Sequence, residues 1–409
     1  MSRAHNAGGR QAGVAQGLTL VMAGFLPILA IVTLTTAVPS IVEHYKDVPN
    51  VRLMVPLLVS APGLSIGLLA LFAGMLVDRF GRRPLMVGAT LLYGFAGAAP
   101  FFLESIEAII ASRLMLGVAE AAILTIVNTL IADYWDEKGR RRWLTIQGIA
   151  GPILATSVIT ASGYLTEFRW NGVFLVYLIA LPLFIAMYLF IFEPDARTAP
   201  PATLAAAPQA EEPAGDFPWA TVASIGALTL FSACLYFVWI IQGGLAFNEL
   251  GTVPPAELGR IFGMASLTVP LGALIFWFLS ARVSHTVQLA VFFGMLGVGL
   301  AGIGGAPSKN GMIAALLLQQ AAAGLAVPTL VAMAQSRLPF AHRGRGMGMW
   351  ASAFFLGQFV SPFFVNFARN QTGSVRGAFL CAGVVALIAA GVTLATFLRR
   401  RAAVVPAAA

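Results

Sequence analysis

Apolar runs, each long enough to cross a lipid bilayer, alternate with short polar loops along most of the chain. A helix crosses the hydrocarbon core with about 20 apolar residues. By that measure the pattern predicts twelve helical spans, at roughly 17–39, 52–77, 85–103, 107–131, 142–165, 170–192, 218–245, 259–280, 285–305, 311–336, 345–368 and 374–398. The first run is too long for the apolar core of a signal peptide, and basic loops continue after it, so it reads as a retained span. The rhythm breaks once. Residues 193–217 are rich in Pro and Ala and carry Glu193, Asp195, Glu211, Glu212 and Asp216. This composition predicts a flexible, partly polyproline linker between a six-helix half at 1–192 and a second at 218–401, with 402–409 as a disordered tail.

Composition removes the soluble alternatives. Of 409 residues, 58% are hydrophobic and only 10% charged, and the mean hydropathy is +0.84. A soluble domain is about 25% charged. The net charge of +8 suggests a nucleic-acid binder, but the basic residues stand singly or in small clusters between apolar runs, so none is expected. Cys234 and Cys381 lie inside apolar runs and read as small buried hydrophobes.

Those basic residues orient the chain instead. With both termini placed in the cytoplasm, 17 Lys and Arg fall on the cytoplasmic side and 7 on the other, with Arg113 left inside a span. Positive charge accumulates on the cytoplasmic side of membrane proteins, so a multi-pass protein of the inner (plasma) membrane is expected. A weak repeat crosses the linker. Lys138-Gly139-Arg140 precedes span five and Arg343-Gly344-Arg345 precedes span eleven, while Arg79 follows span two and Arg282 follows span eight. Two similar six-helix halves are an architecture of secondary transporters, with the site near the midplane between them.

The loop after span two reads Gly74-Met75-Leu76-Val77-Asp78-Arg79-Phe80-Gly81-Arg82-Arg83. Gly81 permits a tight reversal, Asp78 suits a helix end, and Arg82 and Arg83 anchor a cytoplasmic loop. This stretch resembles the signature of the major facilitator superfamily between the second and third spans. The resemblance implies an all-α membrane protein whose twelve transmembrane helices form two pseudo-symmetric six-helix halves. It also implies a conformational latch at Gly74, Asp78, Arg79, Gly81, Arg82 and Arg83. Asp78 would contact the start of span eleven near Gly344 to Gly348, and Arg82 would pair with Asp133, holding the outward-open state.

Span four carries Arg113 and Glu120, the ionisable residues placed within the apolar part of a span. A charge at a span centre costs on the order of 2.5–3.5 kcal/mol. Seven residues return to nearly the same helical face, so Glu120 is expected to reach back toward Arg113. Two readings stand: a structural ion pair, and a protonatable carboxylate facing a cavity. Arg113-x-x-x-Gly117 also resembles the span-four motif of proton-coupled family members, which implies a part for Arg113 in coupling. Gly151-Pro152 in span five resembles, imperfectly, the family's antiporter motif and marks a gating helix. Polar and aromatic residues proposed for the substrate cavity are Asn128, Gln242, Trp239, Gln320 and Gln358, with Tyr93 among the aromatics near them and most aromatics expected at lipid or interface.

No phosphate loop, zinc motif or Cys/His cluster occurs, so neither cofactor nor metal is expected, nor enzymatic activity. The expectation is a monomeric, proton-coupled transporter with Glu120 and Arg113 coupling the proton, exporting amphipathic or cationic small molecules by alternating access. The alternative is proton-coupled uptake of an organic acid, with Arg113 binding its carboxylate. A channel or membrane enzyme is a remote third.

Overall fold

A computed structural model describes residues 12–194 and 216–404, with backbone alone at Ala73, Gly74, Leu76, Asp78 and 400–404. The linker residues 195–215 and the tail residues 405–409 lie outside it. Twelve helices long and apolar enough to span a membrane follow in order: Val14–Thr36, Val51–Leu69, Arg82–Phe101, Ile106–Tyr134, Glu137–Phe168, Gly172–Phe190, Trp219–Asn248, Pro255–Ser280, His285–Gly305, Lys309–Arg337, Phe340–Thr372 and Val375–Arg399. They are numbered spans one to twelve. Twelve crossings among the described residues put the start of span one and the end of span twelve on one face, called here the terminal face.

Several spans are interrupted, which the hydropathy pattern did not resolve. Span two stops at Leu69, and a separate short helix, Ala73–Phe80, carries the signature loop. Span six opens as a 3-10 turn over Gly172–Ile179. Span eight breaks between Ser266 and Val269, just before Pro270. Proline removes a backbone donor and clashes with the preceding turn, so the last break has a local cause.

Contacts within the first half recur in the second. Span one packs on five as seven packs on eleven; two packs on four as eight packs on ten; three packs on four and six as nine packs on ten and twelve. Small residues allow these approaches where lipid offers little hydrophobic drive for helices to associate. A methyl group on Gly117 of span four would strike the Pro62 carbonyl of span two. Gly324 of span ten meets the Val269 carbonyl of span eight in the same way, and both residues stand 207 positions later than their counterparts.

The halves meet through spans two and eleven, and through five and eight. Ser352 Oγ donates to the Gly67 carbonyl at 2.6 Å across the first pair. Across the second, Thr156 Oγ1 and Ser266 Oγ lie 2.7 Å apart, and Gly163 abuts Pro255 and Gly259. Gly244 of span seven packs against the Thr35 carbonyl and Pro39, beyond the centre of span one. The Gly163 and Gly244 contacts lie toward the face opposite the termini, the Thr156–Ser266 contact near the middle, and the Ser352–Gly67 contact toward the terminal end of span two. Toward the terminal face, Gly148 and Gly151 of span five and Gly344 of span eleven have no neighbour within 4 Å of a built Cβ. The halves are joined at the opposite face, and toward the terminal face spans two and eleven also meet, where Gly348 lies against the Ala70 carbonyl.

Candidate functional site

The signature loop is built around Gly81, whose φ of 83° favours glycine. The turn starts span three at Arg82, where the first backbone N–H groups lack helical partners. The Glu193 carboxylate, at the far end of span six, accepts from Arg82 N at 2.8 Å and Arg83 N at 2.7 Å. A carboxylate at a helix N-terminus meets both free donors and the positive end of the helix dipole. Glu193 was read from sequence only as linker; a lone acid after an apolar span gave no hint of this role.

The arginines of the loop divide. Arg82 Nε lies 2.7 Å from Asp133 Oδ2 at the terminal end of span four, a charge contact whose N–H is not aimed at the oxygen. Arg83 donates to the Tyr188 carbonyl at 2.9 Å and lies over the Tyr188 ring. Arg79 is exposed and lies 5.6 Å from the centre of the Phe80 ring. The side chain of Asp78 and the surroundings of Gly74 lie outside the described residues. The short helix that carries them packs on spans three and four.

The span-four pair differs from the expected arrangement. Arg113 and Glu120 are both fully buried, yet they form no ion pair within 4.0 Å. Arg113 Nη2 instead donates to the Ala96 carbonyl at 2.7 Å and the Gly97 carbonyl at 2.6 Å, at the end of span three. Its guanidinium lies 5.1 Å from the Phe174 ring centre and 4.8 Å from that of Tyr177, both on span six. Carbonyls in the last turn of a helix are free to accept, so span three takes Nη2 of Arg113, while its Nε and Nη1 are left without a partner. Both Glu120 oxygens are left without a hydrogen-bond partner. An ionised carboxylate without a donor is very costly away from water, so this packing accommodates the neutral acid.

This cluster lies inside the first half rather than on the cleft between halves. Arg113 is also fully buried, so none of it faces a substrate in this conformation. Two tyrosines complete the enclosure. Tyr93 Oη donates to the Leu26 carbonyl at 2.6 Å, and Tyr177 Oη donates to the Ala30 carbonyl at 3.0 Å. Tyr93, one of the aromatics set near the candidate cavity, is fully buried, and span one supplies an acceptor for its hydroxyl.

The proposed cavity residues scatter. Asn128 is exposed on span four and Gln320 is half-buried on span ten. Trp239 is packed edge-on to Phe247 and Phe262, Gln242 is buried, and Gln358 is buried against Gly63 of span two. Gly151 is open to space, and Pro152 sits within an unbroken helix. A cavity of about 400 Å³ lies between spans two, three and four, bounded by Val77, Phe80, Leu85, Val118 and Ala122. Its apolar walls offer no group to orient a polar substrate.

The sequence model of the major facilitator superfamily matches residues 20–306 and 244–408. The chain is 27% identical over 357 residues to the 3-(3-hydroxy-phenyl)propionate transporter of Escherichia coli K12, covering 84% of this chain and 85% of that one. It is 30% identical over 168 residues to the multidrug efflux pump LfrA of Mycolicibacterium smegmatis, covering 39% of this chain and 32% of the other. The fold matches the crystal structure of a bacterial homologue of the human lysosomal transporter Spinster in an inward-facing, occupied conformation. That match has a TM-score of 0.75 and 13% identity, over 94% of this chain and 96% of the other.

Proposed function

The chain belongs to the major facilitator superfamily, and on that premise we propose that it is a proton-coupled transporter whose coupling carboxylate is Glu120. The observation that carries the reading is a fully buried carboxyl group with no partner on either oxygen. A structural acid would be expected to have a donor. An acid that must gain and lose a proton as the halves rock needs a site that holds its neutral form in one state and offers water in the other.

For substrate and direction we propose uptake of a small aromatic carboxylate together with a proton. The relative that supports this spans most of both chains, whereas the efflux pump matches a third of its own length. Since Arg113 is fully buried in this conformation, the anion would be held in the wet cleft by uncharged groups, of which Asn128 and Gln320 are candidates. A proton moving with it makes the step electroneutral, so no fixed cation is required at the substrate. Export of amphipathic cations is the second reading, favoured by the absence of a cation facing the cleft from span four. Both readings place the termini in the cytoplasm, by the charge of the loops.

Transport in proteoliposomes tests the choice. With the lumen alkaline and the medium acidic, aromatic acids such as 3-(3-hydroxyphenyl)propionate should accumulate, and lipophilic cations should not. Accumulation of cations in vesicles with the opposite gradient, without response to any acid, would move the protein to the export reading.

A further inference from the structure

Span two ends at Leu69, and the short helix begins at Ala73. Beside that break lies the apolar cavity of about 400 Å³ between spans two, three and four. Leu69 bounds it from span two, Phe80 from the short helix, Gly88 and Leu92 from span three, and Val118 and Ala122 from span four. No polar side chain lines it.

The cavity is a groove open to the bilayer. Span three packs on spans four and six of its own half, so its exposed side chains meet lipid. Phe95 is 62% exposed on that span. Gly88 stands seven residues earlier, on nearly the same helical face. It is exposed, and a Cβ built on it has no neighbour within 4 Å. On span four, Met115, Val118 and Ala122 share one face at helical spacing, and Met115 and Val118 are exposed.

A cation stands at the end of the groove nearest the terminal face. Of the loop arginines, Arg82 meets Asp133, and Arg83 donates to the Tyr188 carbonyl. Arg79 is exposed and has neither an acid nor a carbonyl partner among the described residues. Its guanidinium lies 5.6 Å from the centre of the Phe80 ring, which is a wall of the groove.

From this arrangement we infer that the groove binds one acyl chain of an anionic phospholipid, with the phosphate against Arg79. The walls select hydrocarbon. A water molecule needs polar partners, and these walls have none. Empty space would leave the lining atoms without contacts on one side. A transported substrate needs a few placed polar groups to orient it, which are also missing. The bilayer supplies hydrocarbon at the open side. Lipid tails are as apolar as the groove, so a chain gains little merely by moving in. Retention therefore rests on the headgroup. A charge-assisted contact from Arg79 to a phosphate is strong, and a basic group at the membrane surface attracts anionic lipid. A zwitterionic headgroup brings its own cation, which competes with Arg79 for the same phosphate. The bound chain lies against Val77 and Phe80, and so against the short helix that carries the signature loop.

The test uses the full chain in phosphatidylcholine nanodiscs. These carry a trace of either phosphatidylglycerol or phosphatidylcholine with a photoactivatable group in one acyl chain. Labelled peptides are mapped by mass spectrometry, with the exposed stretch 384–398 of span twelve as the reference for ordinary boundary lipid. In wild type, the phosphatidylglycerol probe should label 85–92 and 118–126 severalfold more than the reference, and the phosphatidylcholine probe should show no such excess. Gly88→Leu fills the groove at an open position, so the protein should fold normally, lose the excess and keep the reference labelling. Arg79→Gln should lose the preference for phosphatidylglycerol. An excess that survives Gly88→Leu would mean that the chain lies outside the groove, and would overturn the inference. Equal labelling by the two probes in wild type would reduce the contact to boundary lipid and overturn it as well. A preference that survives Arg79→Gln would overturn the headgroup contact.

Discussion

Arg82 and Asp133 meet at 2.7 Å where the loop after span two touches the end of span four. The Asp133 side chain is 7% exposed and that of Arg82 24%, so water screens the contact only in part. Its strength is read by a double-mutant cycle of Arg82→Gln and Asp133→Asn, using unfolding in detergent. Each single change should cost about 1–3 kcal/mol, and the double change should cost clearly less than their sum. Additive losses would mean that the two charges stabilise the loop independently.

Gly81 and Glu193 make a second, separable prediction. Alanine at position 81 must adopt a φ of 83° and bring its Cβ to 3.3 Å from the Glu193 carboxylate. The expected cost is about 1–2 kcal/mol. Glu193→Gln keeps the shape but loses the charge facing two backbone donors, and should cost about 0.3–1 kcal/mol, falling with added salt. A Gly81→Ala variant with unchanged melting temperature would contradict the turn geometry.

Close packing between spans two and four predicts that Gly117 tolerates no side chain. Gly117→Val would drive a branched group into the Pro62 carbonyl and Ser65, with an expected loss of about 1–3 kcal/mol. The matched test is Gly324→Val against Val269 in the second half. Similar losses at both positions would support the pseudo-symmetric packing, whereas tolerance at one would break the correspondence.

Thr156 and Ser266 share a hydrogen bond across spans five and eight in which one hydroxyl donates to the other, and each also lies within reach of a carbonyl in its own helix to which it can donate instead. Thr156→Val should therefore cost only about 0.6 kcal/mol. Its effect belongs on the balance between states, read as a shift toward a longer distance between spin labels at Lys46→Cys and Thr252→Cys. A shift toward a shorter distance would show that the bond does not favour closure of the opposite face.

The sequence made the span count legible because bilayer thickness sets helix length, and a run such as Val14–Thr36 cannot hide in a chain with so few charges. The signature loop was legible because Gly81 and the paired arginines have few other reasons to stand together. Hydropathy averages over a window, so it missed the break after Leu69 and that at Leu267. The partners of Arg113 were also hidden. They are backbone carbonyls of another helix, and any residue at Ala96 and Gly97 would supply them. The same holds for Tyr93 and Tyr177, whose acceptors on span one carry no side-chain signal.

Glu120 is the residue we propose to carry the coupling proton. Its direct test compares two transport modes of Glu120→Gln in proteoliposomes. The variant should lose uphill accumulation driven by a proton gradient and retain exchange of labelled for unlabelled substrate at equal concentrations, because exchange needs no net proton movement. Uphill accumulation at the wild-type level in Glu120→Gln would mean that another group carries the proton.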